Sequence, residues 1–502
     1  MAAAVDPDRS EWDVIVLGGA AAGENAAQYA SQFSGLEVVM VEAELLGGEC
    51  SFWACMPSKA LLRPTEVLAI ARDLPGLAEL LVGRELDAQA VLARRDKVVN
   101  QLDDTSQIDW ALSVGIDVIR GYGRLRGTRS VAVTAADGTT RILTARHAVV
   151  LDTGSSALVP PVPGLREALP WTSRDVTNLH EIPRSVVVVG GGVVACESVT
   201  WLHGLGVADI TVIEGAPRLL AKNEPFAGEL VAQRFVEAGI DVRLDTRVTE
   251  VRRDEPREAA VGRLRGGPVT VTLSDGATVT ADEIIVAAGR RPNSDDIGLE
   301  SVGLTPGGYV SVDEHQGVQG VDGDWLYAIG DLCGKALLTH MGKYQARIVG
   351  EVIAARAAGR ALQEGPYSIH TDVVDREHQV PQVTFTDPEV GSAGMTEAEA
   401  REHGFTVECV EYDLAALAGS YVLRENYLGR AKMVVDSDTD VLLGVTFVGT
   451  GIAELTHSAT MAIVARIPVS VLWHVVPSYP TVSEVWLRLL ETLNVRRRKS
   501  AS

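Results

Sequence analysis

Cys50 and Cys55 lie five positions apart in the run Gly47-Gly48-Glu49-Cys50-Ser51-Phe52-Trp53-Ala54-Cys55-Met56-Pro57-Ser58-Lys59. Thiols this close in a chain with only five cysteines suit redox exchange or soft-metal binding, not a disulfide scaffold. On a regular helix their Cα atoms would stand about 8.6 Å apart, beyond the roughly 7 Å reach of a disulfide. A bridge between them needs a distorted turn, and a strained, accessible bridge is the readily reduced kind. Zinc is the competing reading, but no second pair of soft ligands follows at a useful spacing, and no metal is assigned. Two inert buried thiols are the third reading. Cys196, Cys333 and Cys409 have no comparable context and are read as structural.

The second chemical signal occurs twice. Asp13-Val14-Ile15-Val16-Leu17 runs into Gly18-Gly19-Ala20-Ala21-Ala22-Gly23, and Ser185-Val186-Val187-Val188-Val189 runs into Gly190-Gly191-Gly192-Val193-Val194-Ala195. Each reads as a buried parallel strand, a tight turn and a helix start. Glu42 and Glu214, each 24 positions after the first glycine, end a further apolar strand. Glycines let the backbone approach a pyrophosphate, the helix N-terminus faces its charge, and the carboxylate accepts from ribose hydroxyls. Ala20 stands where the second glycine of the first copy belongs, and its Cβ is expected to crowd the pyrophosphate.

The elements that position these groups follow from pattern. A chain of 502 residues exceeds one core and predicts two to four domains. Alternating stretches at residues 125–150, with a turn at Asp137-Gly138, and 248–286, with turns at Gly266-Gly267-Pro268 and Asp275-Gly276, predict hairpins or meanders. The last 135 or so residues carry strand-like runs at 380–385, 431–435 and 442–448, then helical periodicity over 452–467. Pro381 restricts the first of these to a sheet edge. The fold class is therefore α/β, with two Rossmann-like dinucleotide-binding domains and a C-terminal α+β domain. A net charge of −22 excludes a nucleic-acid footprint. The basic run Arg496-Arg497-Arg498-Lys499 is read as a solvated tail. No secretory leader and no apolar run of about 18 residues is present, so a cytoplasmic protein without a membrane partner is expected.

Taken together, these segments resemble the pyridine nucleotide–disulfide oxidoreductases, the flavoproteins that include dihydrolipoamide dehydrogenase, glutathione reductase and mercuric reductase. The likeness runs from about residue 12 to 492 and includes Asp152-Thr153-Gly154-Ser155, Ala288-Gly289-Arg290-Arg291-Pro292-Asn293, Tyr327-Ala328-Ile329-Gly330-Asp331, Phe385-Thr386-Asp387-Pro388-Glu389-Val390 and Pro480-Thr481-Val482-Ser483-Glu484. The resemblance implies an FAD-binding domain at 1–157 and 291–365, an inserted NAD(P)-binding domain at 158–290, and a dimerisation domain at 366–502 that makes a homodimer. It implies an enzyme that passes electrons from NAD(P)H through FAD to a Cys50–Cys55 disulfide and on to a small disulfide-type acceptor. Cys55 would face the flavin and Cys50 would exchange with substrate. Lys59 would sit near flavin N5, paired with Glu197. Gly18, Gly23, Glu42, Gly48, Thr153, Gly154 and Asp331 would hold FAD, with Asp331 on the ribityl chain. Gly190, Gly192, Glu214 and Gly289 would hold the nicotinamide cofactor. Glu214 favours NADH, because its carboxylate would repel a 2′-phosphate, although Arg218 lies close in sequence.

The departures are local. The family's thiol–disulfide reductases place a histidine before Pro-Thr, held by a glutamate five positions on and acting across the subunit boundary. Here Tyr479 stands there, with Glu484 retained. Tyrosine ordinarily titrates near 10 and histidine near 6.5, which makes a phenol a poor proton shuttle at neutral pH. His474 does not align with that position. Mercuric reductases also have tyrosine there, but they carry a C-terminal cysteine pair, and this chain ends Arg498-Lys499-Ser500-Ala501-Ser502. Glu49 brings a carboxylate toward the pyrophosphate, and Phe52-Trp53 puts bulk between the cysteines. Metal-ion reduction, a quinone or diaphorase activity, and a non-catalytic redox sensor are the alternative functions.

Overall fold

The computed structural model describes residue 6 and residues 8–500. Two compact units share the chain: Met1–Pro57, Asp96–Ala157 and Arg290–Glu377 form one, and Ser58–Arg95, Leu158–Gly289 and His378–Ser502 the other.

The first unit is built on a sheet whose strands run in the order Ile116–Arg120, Val38–Glu42, Glu11–Leu17, Thr140–Leu151, Ser130–Thr134 and Tyr122–Leu125, with Leu326–Ala328 also pairing with Thr140–Leu151. Val14, Ile15, Val16 and Leu17 are buried throughout, as a parallel strand covered on both faces requires. The turn at Gly138 closes the expected meander. Helix Ala21–Ser31 presents Ala26, Ala27 and Ala30 to Ala346, Val349 and Ile353 of helix Thr339–Ala357. The helices approach closely because Gly350 has no side chain: a Cβ there would lie 2.5 Å from Tyr29 Cβ.

The second unit holds a parallel sheet (Asp241–Arg243, Asp209–Ile213, Ser185–Val189, Glu283–Val286), a three-stranded antiparallel sheet (Val248–Arg253, Val269–Leu273, Thr278–Ala281), and a five-stranded antiparallel sheet. The last begins with Pro381–Thr384 at its edge, where a strand containing proline belongs. Segment Ser58–Arg95 joins this unit through Leu61, Leu62, Val91 and Leu92, which pack with Trp171, Val199 and Leu202. One expectation is corrected. The run 496–499 is not a tail: it forms the last turns of helix Val485–Ser500, with Arg497 paired to Glu408 and Asp440 and Arg496 bonded to the Cys409 carbonyl, while Arg496, Arg498 and Lys499 stay exposed as expected. The apolar face of that helix (Val485, Leu489, Leu490, Leu493) is buried, so its polar end is fixed as well.

Within this unit Arg253 and Glu283 form an ion pair with no exposed surface. Arg253 also donates to the carbonyls of Ala168, Gly267 and Asp282, and Glu283 accepts from the Arg265 and Ile284 amides. Removing one partner of such a pair strands a buried charge, at a cost of about 3–5 kcal/mol. Burial pushes the Glu283 carboxyl up, and Arg253 opposes that shift. A group raised in the folded state loses its stabilisation as pH rises through its folded pKa. Arg253→Met should therefore destabilise the protein more at about pH 8 than at about pH 5, and urea unfolding at the two pH values measures the difference.

Candidate active site

The distorted turn that the cysteine spacing demands is present. Helix Gly48–Phe52 ends at Trp53, whose φ of −134° and ψ of 2° leave the helical region, and a new helix, Cys55–Arg72, starts two residues later. Phe52 and Trp53 do not stand between the thiols as loose bulk. Both are buried against Leu45 and Val99 and anchor the break. Cys50 and Cys55 are half-buried thiols. The hydrogen bond with Cys55, and after it burial, pushes the Cys50 thiol far up, while Thr339 and Lys343 pull the other way. Thr339 Oγ1 lies 3.3 Å from Cys55 Sγ. Sequence reasoning missed Thr339, because nothing local marks the first residue of helix Thr339–Ala357 as a thiol partner.

Lys59 lies one turn along the helix that Cys55 opens. Its Nζ donates to both Glu197 oxygens, at 3.0 and 2.8 Å. Glu197 is 4% exposed, on the helix that follows the second fingerprint, and its Oε1 also accepts from the Phe385 amide at 3.0 Å. The Phe385 ring lies 4.7 Å from Lys59 Nζ, a cation–π distance. The expected Lys59–Glu197 pair is formed, and Phe385 completes it from the segment after the edge strand.

The two fingerprints are nearly the same object. Gly18 and Gly190 have φ of +100° and +115° and donate to Val41 and Ile213 carbonyls. A Cβ on Gly18 would meet the Asp152 carbonyl at 2.1 Å, and one on Gly190 the Ala287 carbonyl at 2.4 Å. Glu42 accepts from the Gly19 amide at 2.8 Å and Glu214 from the Gly191 amide at 2.5 Å. The helices that follow, Ala21–Ser31 and Val193–Gly204, are preceded by Ala20 and Gly192, neither of which caps them with its own side chain, and their N-termini suit an anion. Nothing lies within 4 Å of the Cβ position of Gly192. Ala20 is accommodated sideways: its Cβ points to Gly48, where any side chain would lie 2.6 Å away. The residues therefore fit two dinucleotides. Thr153 and Gly154 are tied to Asn293 by three hydrogen bonds. Asp331 accepts from Ser155 at 2.5 Å and lies 3.5 Å from Arg290. Gly289, at φ +135°, accepts from the Leu158 amide.

Tyr479 and Glu484 are not joined. Tyr479 is 75% exposed, Glu484 is buried, and Glu484 Oε1 accepts from Arg488 at 2.5 Å while Oε2 has no partner among the described residues. His474 is exposed. The first unit supplies two thiols and a glycine turn suited to an anion, and the second supplies an ammonium held by Glu197 and a like turn. Glu197→Gln leaves one acceptor oxygen for the Lys59 ammonium and the Phe385 amide, so it loses one hydrogen bond to Lys59 and the negative charge, a charge-assisted contact worth about 1.5–3 kcal/mol. It should slow flavin reduction by NAD(P)H about tenfold or more in stopped flow and lower the melting temperature by a few degrees.

Comparison with known proteins agrees with this geometry. Residues 12–382 match the family described as pyridine nucleotide-disulphide oxidoreductase, and residues 380–489 match its dimerisation domain. Dihydrolipoyl dehydrogenase of Bacillus subtilis (strain 168) is 30% identical over 484 residues, covering 95% of this chain and 96% of the relative. Mercuric reductase of Lysinibacillus sphaericus is 28% identical over 477 residues, 95% of this chain and 82% of the relative. The solved Cu(II) complex of the HOCl-induced flavoprotein disulfide reductase RclA from Escherichia coli shares the fold, with a TM-score of 0.79 at 24% identity over 96% of this chain and 99% of that one. No helix among the described residues is long and apolar enough to cross a membrane. With both fingerprints built alike and the family match spanning most of its length, the chain belongs to the pyridine nucleotide-disulphide oxidoreductase family, as an FAD- and NAD(P)H-dependent enzyme.

Proposed function

We propose that this enzyme, as a homodimer, carries an electron pair from NADH to Cys50 and Cys55, and that Cys50 then reduces a small disulfide whose departing thiolate needs no acid from the protein. Bound FAD would supply hydride acceptance from the nicotinamide and electron delivery to a disulfide. Gly18, Gly23, Glu42, Gly48, Thr153, Gly154 and Asp331 are the residues to hold it, within segments 1–157 and 291–365. Gly190, Gly192, Glu214 and Gly289, in 158–290, are those to hold NADH, and 366–502 is the dimerisation domain. Lys59, steadied by Glu197, keeps a positive charge where the redox centre gains electrons. The Thr339 hydroxyl is placed to donate to the sulfur of Cys55.

The observation that carries the acceptor assignment is the state of Glu484. Its bonded oxygen is taken by Arg488, and Tyr479 is exposed on its own chain without a bond to it. The carboxylate that orients a histidine in related reductases therefore orients no acid–base group here. General acid help is worth roughly 10² to 10⁴ in rate, and a leaving thiolate of low pKa departs without it. A metal-ion acceptor is the second reading, favoured by the tyrosine at 479 that mercuric reductases share.

Turnover with an aromatic disulfide such as dithiobis(nitrobenzoate) should exceed that with lipoamide or glutathione disulfide by about tenfold or more, and a steady-state panel including Hg(II) and Cu(II) separates the two readings. Tyr479→Phe should leave turnover with such a disulfide and the NADH-dependent appearance of two thiols, read by thiol titration, nearly unchanged, whereas a loss of metal-ion reduction would favour the second reading. Lipoamide turnover at the rate of ordinary dihydrolipoyl dehydrogenases would contradict the assignment. For the donor, Glu214 ends the strand Asp209–Ile213 and Arg218 is turned to the Ala221 carbonyl at 2.9 Å. The kcat/KM for NADH should accordingly exceed that for NADPH by about tenfold or more, a gap of about 1.4 kcal/mol per decade, and should narrow in Glu214→Ala.

A further inference from the structure

Asp152 closes the strand Thr140–Leu151 at the mouth of the first fingerprint and is 5% exposed. Its Oδ2 accepts from the Gly23 amide at 2.6 Å, so it caps helix Ala21–Ser31 from a different element, where Ala20 offers no cap. Its Oδ1 lies 2.9 Å from the point a Gly330 Cβ would take, beside the turn Gly330–Cys333 that carries Asp331. The carboxyl is thus enclosed by the segments that hold a flavin in this family. Its titratable surroundings are acidic: Glu24 from helix Ala21–Ser31, Glu42 from strand Val38–Glu42 and Asp331 all raise its charge's cost, and the Cys333 thiol faces it from the same turn as Asp331. The nearby cations act elsewhere. Arg290 donates to Ser155 and lies against Asp331, and Lys343, exposed on helix Thr339–Ala357, acts on Glu24 and Cys50.

We infer that Asp152 is a proton-carrying member of the flavin cradle: FAD binds the form in which Asp152 is a neutral acid, and ionisation of Asp152 weakens its hold. The physical balance supports this. One amide hydrogen bond and the helix N-terminus favour the carboxylate, but burial and three neighbouring carboxylates oppose it and hold its carboxyl well above the usual range. An anionic pyrophosphate laid on the same helix N-terminus adds negative charge beside it, so the complex holds the proton more tightly than the free protein does. By linkage, affinity is full at low pH and falls as pH rises through the free-protein pKa of Asp152, about tenfold per pH unit. An Asp152 that served only as a helix cap would be ionised throughout, and FAD affinity would not respond.

The inference rests on flavin binding at the first fingerprint, and the experiment separates the two. Apoprotein is titrated with FAD by fluorescence quenching from about pH 6 to about pH 10, and calorimetry in two buffers of different ionisation enthalpy counts the protons taken up. A Kd that is flat and then climbs, uptake of a proton on binding, and a Kd for Asp152→Asn that no longer climbs are the expected results. Glu24, whose carboxyl burial raises to about 7, is the rival group, so Glu24→Gln should keep the wild-type profile. A flat wild-type profile, a climbing profile in Asp152→Asn, or its loss in Glu24→Gln would each overturn the inference and leave the flavin assignment standing. Should Asp152→Asn not fold, by circular dichroism, the wild-type profile and proton count decide. Absence of FAD binding at every pH would refute the flavin reading and this inference with it.

Discussion

A carboxylate at the end of the second strand reaches back to an amide in the glycine turn, and both candidate dinucleotide sites depend on that bond. Glu42 and Glu214 each close a loop of main chain, the first between the Gly19 and Glu44 amides and the second between the Gly191 and Ala216 amides. The turn is thereby held open without any side chain of its own, which is the condition for a helix N-terminus to meet a phosphate directly. The same carboxylates are the expected ribose acceptors, so one group shapes the turn and selects what enters it. The Gly47 amide on the Gly19 carbonyl and the Leu220 amide on the Gly191 carbonyl repeat the correspondence on the far side of each turn.

The thiols are positioned by burial of their neighbours. A five-residue spacing cannot bring two cysteines together on one helix, and the chain solves this by ending one helix at Trp53 and starting the next at Cys55. Phe52 and Trp53, with Leu45 and Val99, make a small apolar cluster that keeps the break from annealing. Lys59 is held differently, by charge and an aromatic face: Glu197 and Phe385 come from distant segments, and Glu197 is itself fixed by the Phe385 amide.

The first glycine turn, the proposed flavin site, concentrates acid where an anion would bind. Glu24, Glu42, Asp152 and Asp331 all act on it, and burial raises two of them. Backbone amides at a helix terminus supply the favourable field, so the carboxyl groups are tolerable where they are bonded to amides, paired, or neutral. Asp331 has Ser155 and Arg290 beside it, and Asp152 has only the Gly23 amide against the rest.

Much was legible in the residues themselves. The paired fingerprints, the Cys50–Cys55 segment, the meanders and the edge strand at Pro381 are local patterns, set by φ preferences, apolar runs and spacing, and the structure shows each of them. Tertiary structure decided what depends on groups far apart in sequence. Thr339 meets Cys55 across 284 positions and Phe385 meets Glu197 across 188, and no local signal marks either pair. That the Ala20 Cβ lies against Gly48, where any side chain would clash with it, is visible only in the fold. The basic run at 496–499 looked like a tail because its partners, Glu408 and Asp440, lie on other elements. Asp152 was read only as part of a motif, since nothing in the sequence states that it is buried among other acids. Periodicity and spacing report the backbone's own preferences, whereas burial and charge pairing exist only once the chain has closed on itself.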